Sequence, residues 1–452
     1  MHHQLTAPSA AAAALRLTAT AGQGDQPGPL RVGIATADIT PEAPVWLRGF
    51  AGRDNVKPSE GIAQRLLAQC ALFDNGETRV ALVTFDLCGI SYDQLLRLRA
   101  AAQAAGIPQQ HLMVNVSHTH FGPRLGDGGH AQQNGEYEAL LAERAQALFA
   151  AAAANLQPAL LDFTVGSCTM GCSRRRLDEE GKANWGPEPR KPIDLDVPVL
   201  RVLDGERQVR ALLFGYSCHP TTTGGRLMFL VGSDYPGFAR EWVAAAYPGA
   251  EPIFVQGCGG DIKPRAVRPG GQRGAVFSHM LLDERESKAA VGYELGRAVV
   301  AATAVPPPPV PAGRPAEPEE ALKTPVPLGG IAEIVSLPSK ADPAVMGHYP
   351  WHMGALRIGD LYIFGSQGEV LSAIGMRVKA EMPDLRVWAN GYTHWGGGYF
   401  APAAAFPEGG YEVNNMGFAP QAEDILVGSA RRLIEELQST PIHAAPIPRC
   451  HP

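Results

Sequence analysis

Short, almost unbroken apolar runs recur along this chain, and each stops abruptly at polar or glycine-rich residues. Runs of this kind read as buried strands, and in open α/β sheets the strand exits are where the chemistry sits. Leu30 to Ile39 is the first such run, closed by the breaker Thr40-Pro41. Cys70 to Phe73 and Arg79 to Phe85 follow, the second leading into Asp86. After an amphipathic stretch from Tyr92 to Ala105 that reads as a helix, the strand His111 to Val116 delivers Ser117, His118, Thr119 and His120. The same punctuation returns downstream. Val199 to Tyr216 reads as a strand pair running into Cys218-His219-Pro220, and Pro252 to Val255 as a strand before the glycine-rich turn from Gln256 to Asp261. Ala355 to Phe364 reads as a hairpin running into Gly365-Ser366-Gln367-Gly368-Glu369, and Val387 to Ala389 as a strand before a glycine- and aromatic-rich loop from Asn390 to Tyr411. Helices are expected at Glu136 to Asn155, Ser287 to Thr303, Val370 to Ala380 and Gln421 to Leu437.

These alternations imply an α/β fold, a mixed β-sheet core with surrounding helices in one large catalytic domain over 30–440. Residues 1–29 form an Ala-rich flexible leader, 305–327 a Pro-rich surface connection and 441–452 a tail. No period of 20 to 50 residues is visible. With 45% hydrophobic and 19% charged residues the 452-residue chain can bury a large core. A net charge of -6 and the lack of a Lys/Arg run argue against a nucleic-acid partner. Seven scattered cysteines do not form a disulfide framework, and Cys168 and Cys172 lack a second pair to close a tetrahedral zinc site. Cys450 and His451 are incidental tail residues. The leader has neither a basic n-region nor an unbroken apolar h-region, and no apolar stretch is long enough to span a bilayer, so a cytoplasmic location is expected.

Catalytic zinc takes His nitrogens and a carboxylate and keeps one position open for water, which His118, His219 and Glu369 would satisfy. Residues i and i+2 of a strand point the same way, so His118 and His120 can address one cavity. Each piece has a plainer reading. Two hydrogen-bonded histidines can open a loop, Cys-His-Pro can close a strand, and Glu369 can sit on a helix N-terminal dipole. Neither a G-x-S-x-G elbow nor a P-loop nor a G-x-G-x-x-G fingerprint is present.

Taken in order, the segments resemble the catalytic domain of the neutral ceramidases: GIATADITP at Gly33 to Pro41, FDLCG at Phe85 to Gly89, SHTHFGP at Ser117 to Pro123, SCHPT at Ser217 to Thr221 and SDYPGFA at Ser233 to Ala239. The resemblance implies one Zn2+ per chain held by His118, His219, Glu369 and Tyr399, the last taken from GGYFAPAAAFPEGGYE at Gly397 to Glu412, with Tyr392 the competing tyrosine. It also implies Tyr411 as a second, catalytic tyrosine and Arg174 as a substrate-orienting arginine, while His120 would hydrogen-bond the reacting carbonyl. Asp86 or Asp261 would orient ligands from behind. One position departs from the family: where it carries GDVSP, this chain has Gly260-Asp261-Ile262-Lys263-Pro264, so no serine role transfers and Lys263 becomes a candidate for charge stabilisation.

The function these features imply is zinc-dependent hydrolysis of an amide (N-acyl) bond in a small, non-ceramide substrate by activated water. Ester or lactone hydrolysis, acyl transfer on the same scaffold, or metal binding without turnover are the competing readings. Self-association of the chain is compatible with all of them.

Overall fold

The computed structural model describes residues 16–17, 28–126, 134–222, 225–267, 273–277, 285–304, 322–342 and 349–439. Most of the leader, the greater part of the Pro-rich connection and the tail with Cys450 and His451 therefore lie outside the described residues. Arg16–Leu17 pair with Leu328–Leu337 at the edge of a sheet.

Three times along the chain the same order of elements returns: three antiparallel strands, a helix, a strand parallel to the third, and a second helix. The first unit is Arg31–Asp38, Leu67–Asp74 and Arg79–Phe85, the helix Tyr92–Ala104, the strand Leu112–Val116 and the helix Gly135–Ala154. The second is Leu160–Ser167, Asp196–Leu203 and Val209–Tyr216, the helix Tyr235–Ala246, the strand Glu251–Gln256 and the helix Arg285–Ala304. The third is Leu328–Leu337, Tyr349–Ile358 and Leu361–Ser366, the helix Ser372–Ala380, the strand Arg386–Asn390 and the helix Ala422–Ser439. The repeat is one of topology and longer than the sequence periods sought above.

Strand alternation explains how the units assemble. Val80 and Leu82 of the first sheet, Leu213, Ile253 and Val255 of the second, and Leu361, Ile363 and Trp388 of the third all face one shared core. Their strand neighbours Ala81, Val83 and Phe85, then Leu212, Phe214 and Phe254, then Tyr362 and Phe364, face the outer helices. Strands covered on both faces need apolar residues at every position, which is why they read as unbroken runs rather than alternating ones. Each fully buried side chain of this size contributes about 1.5–3 kcal/mol.

Local chemistry sets the helix starts. Ser91 and Gln94 form a reciprocal capping box on Tyr92–Ala104. Asp234, at φ 61°, accepts from the Tyr235 amide and from Thr222, and so pins Tyr235–Ala246 to the segment that follows His219. The expected helix from Val370 begins instead at Ser372, because Glu369–Val370 pair in parallel with Tyr399–Phe400.

The second unit carries two inserted segments that pair with each other. Between its first two strands lie Gly171–Leu177 and Ala183–Glu188, and before its last helix lie Ile262–Val267 and Arg273–Phe277. These four form a separate antiparallel sheet. Buried Asn115 ties the three units together, donating to the carbonyls of Gln256 and Gly391 and accepting from the Gln256 amide.

Candidate metal centre

One strand exit from each unit contributes to a single cluster. Val116 leads to His118, which sits at φ 61°, Tyr216 leads to His219, and Ser366 leads to Glu369. A left-handed conformation at a histidine is uncommon and is held where surrounding structure over-determines it. Here the His118 amide donates to Leu87 O, and Nδ1 lies 2.6 Å from Cys88 O. His219 is held the same way, with Nδ1 2.7 Å from Gly259 O. A backbone carbonyl at Nδ1 accepts from that ring N–H and leaves Nε2 facing the centre. The two Nε2 atoms accordingly meet the same carboxylate oxygen, Glu369 Oε2, at 3.4 Å from His118 and 2.9 Å from His219. One ligand atom from each of the three lies within 4.8 Å of the others.

The glycine-rich turn is required by close approach. A Cβ on Gly260 would lie 2.4 Å from the Glu369 carbonyl oxygen, so the turn can run flat against the Glu369 segment only as glycine. Gly49, at φ 129°, likewise leaves room for the His120 ring, which a Cβ would meet at 2.3 Å. His120 Nε2 is 3.2 Å from His118 Nε2, and its ring packs edge-on against Phe50.

Electrostatics matches a cation site. Burial would raise the Glu369 carboxyl, but the charges and hydrogen bonds of His118 and His219 hold it well below the usual carboxylate range. Burial opposes a proton on His118, and Cys88 and Glu369 overcome it. His219 is pushed down to about 4, by burial first and then by Arg174. His120 is lowered by burial and by the two neighbouring histidines, which keeps it a neutral imidazole. Two inward Nε2 atoms, each ring anchored at Nδ1 by a backbone carbonyl, around one part-buried carboxylate fit a zinc ligand set.

The tyrosines complete the wall. Tyr399 is the parallel-strand partner of Glu369, and its hydroxyl neighbours both Glu369 and Arg174. Tyr392, at φ 54°, stacks its ring 4.5 Å from that of His118, and its buried hydroxyl has no partner among the described residues. Tyr411 is 51% exposed at the mouth, with its ring 5.5 Å from Tyr399. Arg174 lies beneath these rings: its guanidinium is 4.6 Å from the Trp185 ring centre, 5.4 Å from Tyr399 and 5.7 Å from Tyr411. Its Nε donates to Glu412 Oε1 at 2.7 Å, and the neighbouring Arg175 donates to the other Glu412 oxygen at 2.5 Å. Lys263, only 3% exposed, has its ammonium 5.4 Å from the Trp185 ring centre and 5.7 Å from Phe277. Arg174, Lys263 and Trp185 all belong to the inserted sheet.

The structure thus brings together all eight side chains singled out from the sequence. It corrects the supporting pair. Asp86 is buried in an ion pair with Arg240 and accepts from the Leu67 amide, while Asp261 accepts from the Ser372 amide and caps that helix. Neither touches a ligand histidine, and the carbonyls of Cys88 and Gly259 do the orienting. Glu412 and Trp185 were not foreseen. Glu412 adjoins Tyr411 and could have been found as the counter-charge that adjacent Arg174 and Arg175 demand, whereas nothing local marks Trp185.

No family model and no curated protein matches the sequence. Among solved structures the chain is similar to the neutral ceramidase from Pseudomonas aeruginosa, with a TM-score of 0.71 and 17% identity over 94% of this chain and 77% of that one. It is also similar to a ceramidase complexed with C2, with a TM-score of 0.68, 17% identity and the same coverage. The fold is therefore neutral-ceramidase-like, as the ordered motifs imply. Among the described residues no helix is long and apolar enough to cross a membrane.

Proposed function

We propose that this chain is a zinc-dependent hydrolase that cleaves the amide bond of a small N-acyl substrate other than ceramide. The observation that carries this reading is the convergence of His118 Nε2, His219 Nε2 and Glu369 Oε2 from three separate units, each histidine oriented by a backbone carbonyl. His118, His219, Glu369 and Tyr399 would hold one Zn2+, which when bound supplies Lewis acidity toward a carbonyl and lowers the pKa of water.

The chain's own residues supply the rest. His120, kept neutral by burial and its histidine neighbours, is suited to hydrogen-bond the carbonyl oxygen and to pass a proton during collapse of the tetrahedral intermediate. Tyr411 packs edge-on against the rings of Trp185 and Tyr399, the latter beside Glu369, and would be the second tyrosine to hydrogen-bond the reacting group. The bookkeeping is that water adds across the C–N bond, leaving a carboxylate on the acyl fragment and an ammonium on the amine. Lys263, standing where a serine would be needed for the ceramidase pattern, supports a different substrate. The cytoplasmic reading is supported by the buried free thiols of Cys70, Cys88, Cys172, Cys218 and Cys258.

Metal analysis of the wild type beside His118→Ala and His219→Ala tests the proposal. One zinc per chain is expected in the wild type and a large loss in each variant, and unchanged zinc in both would remove the central claim. Incorporation of oxygen from labelled water into the acyl product separates hydrolysis from acyl transfer.

A further inference from the structure

We propose that Lys263 and Arg174 form a subsite for a carboxylate carried by the amine side of the substrate, so that the substrates are N-acyl amino acids rather than neutral N-acyl amines. The inference rests on the hydrolase reading for the position of the scissile bond, but the charge argument stands on its own.

Lys263 pairs across the inserted sheet with Cys172, and Arg174 follows two residues later on the same face. Two cations therefore sit diagonally adjacent on one buried surface, an arrangement that like-charge repulsion disfavours unless an anion lies between them. The surrounding charges do not resolve it. Arg174 and Arg175 share Glu412, and Glu408, which also pairs with Arg175, is taken up by Lys191, so neither carboxylate is spare for Lys263. Lys263 makes no hydrogen bond or ion pair among the described residues, and its neighbours are the Trp185 and Phe277 rings. Arg174 keeps its Nη2 buried and without a partner among the described residues. Two adjacent donors, Lys263 Nζ and Arg174 Nη2, with no anion between them among the described residues fit a monoanion of carboxylate type.

The subsite lies beside the proposed reacting centre. Tyr399 joins Arg174 to Glu369, and the Lys263 charge is felt at His120. A carboxylate a few bonds from the scissile nitrogen would thus reach Lys263 while its amide carbonyl faces His120. All of this machinery is on the inserted sheet, whereas the metal ligands are on the repeated units.

The probes are N-acylglycines and the corresponding N-acylglycinamides, with acyl chains from two to sixteen carbons, given to the zinc-loaded full chain. The charged form is expected to be preferred by about 10- to 100-fold in kcat/KM. Lys263→Gln should collapse that ratio toward one, and Lys263→Arg should keep most of it. A wild-type ratio near or below one, or a ratio untouched by Lys263→Gln, overturns the inference. Calorimetric binding of the same pairs separates the two readings. If nothing is hydrolysed but the glycine form binds with an advantage that Lys263→Gln removes, the hydrolase reading fails and the subsite stands. Absence of any Lys263-dependent difference in binding, including absence of binding, sinks the subsite.

Discussion

Replacing Lys263 by Met should stabilise this protein, and by an amount that depends on pH in a defined way. Burial first, and then the charge of Arg174, pushes the Lys263 ammonium from 10.5 down to about 7. A displacement of that size corresponds to about 5 kcal/mol of penalty on the charged form in the folded state. The sign follows from proton counting. Between about pH 7 and 10.5 the unfolded chain carries the lysine proton and the folded chain does not, so wild-type stability rises with pH across that window. Below pH 7 both states are protonated and the folded state bears the full penalty. Lys263→Met removes the charge and keeps an unbranched apolar side chain of similar length, so at pH 6 the variant should be more stable by about 5 kcal/mol, with the gap closing by pH 10.5. Urea denaturation at pH 6, 8 and 10, followed by tryptophan fluorescence, gives the difference directly. A gap that does not change with pH, or a wild type that is the more stable protein at pH 6, would refute the reasoning. Adding an N-acylglycine should narrow the gap at pH 6, since its carboxylate would lift the penalty in the wild type alone.

Three further outcomes follow from the same structure. Glu412→Gln should cost about 3–5 kcal/mol in chemical denaturation, because it leaves Arg174 and Arg175 buried with their shared counter-charge gone. Burial raises the Glu412 carboxyl, but the two arginines bring it below its ordinary 4.5, so its contribution is complete above that pH and is lost as the pH falls through the lower folded value, a slope the variant should lack. Arg99→Met should raise the unfolding free energy by about 1–4 kcal/mol, since Arg99 is buried beside His352 with Nε and Nη2 unpartnered among the described residues; a lowered denaturation midpoint counts against this. Gly260→Ala should weaken zinc retention about tenfold or more in a chelator competition, because its Cβ displaces the Glu369 backbone, and unaltered retention would contradict the close approach described above.

His118, His120, His219 and Glu369 were legible because they follow strand exits, which are visible wherever an unbroken apolar run stops, whereas Arg174, Lys263, Tyr399 and Tyr411 lie within other elements and were reached only through the ordered motifs. Arg79–Phe85, Val209–Tyr216 and Leu361–Ser366 are buried on both faces and therefore announce themselves. What stayed hidden did so for physical reasons. Gly171–Leu177 reads GCSRRRL, and Arg174 and Arg175 are buried by ion pairing with Glu412 and Glu408 from more than 200 residues away, which no local pattern records. Leu160–Ser167 is only partly buried and alternates weakly. Tyr235–Ala246 begins Tyr-Pro-Gly, which looks like a turn until Asp234 is seen capping it. The orienting groups of the two histidines are backbone carbonyls, which have no sequence identity at all, and the acidic side chains expected in that role are occupied elsewhere.

The threefold return of the same unit bears on symmetry. Were three separate copies of one such unit to assemble around a common axis, every side chain presented at the centre would be present three times, and a mixed set could not form. Joining the copies in one chain frees each exit to carry a different residue, so that the first and second bring histidines and the third brings a carboxylate. The same freedom let the second copy carry the four-stranded sheet that brings Arg174 and Lys263. The centre is consequently lopsided, and on the subsite proposal above a molecule entering it would have one orientation in which its charge and its reactive bond are both met.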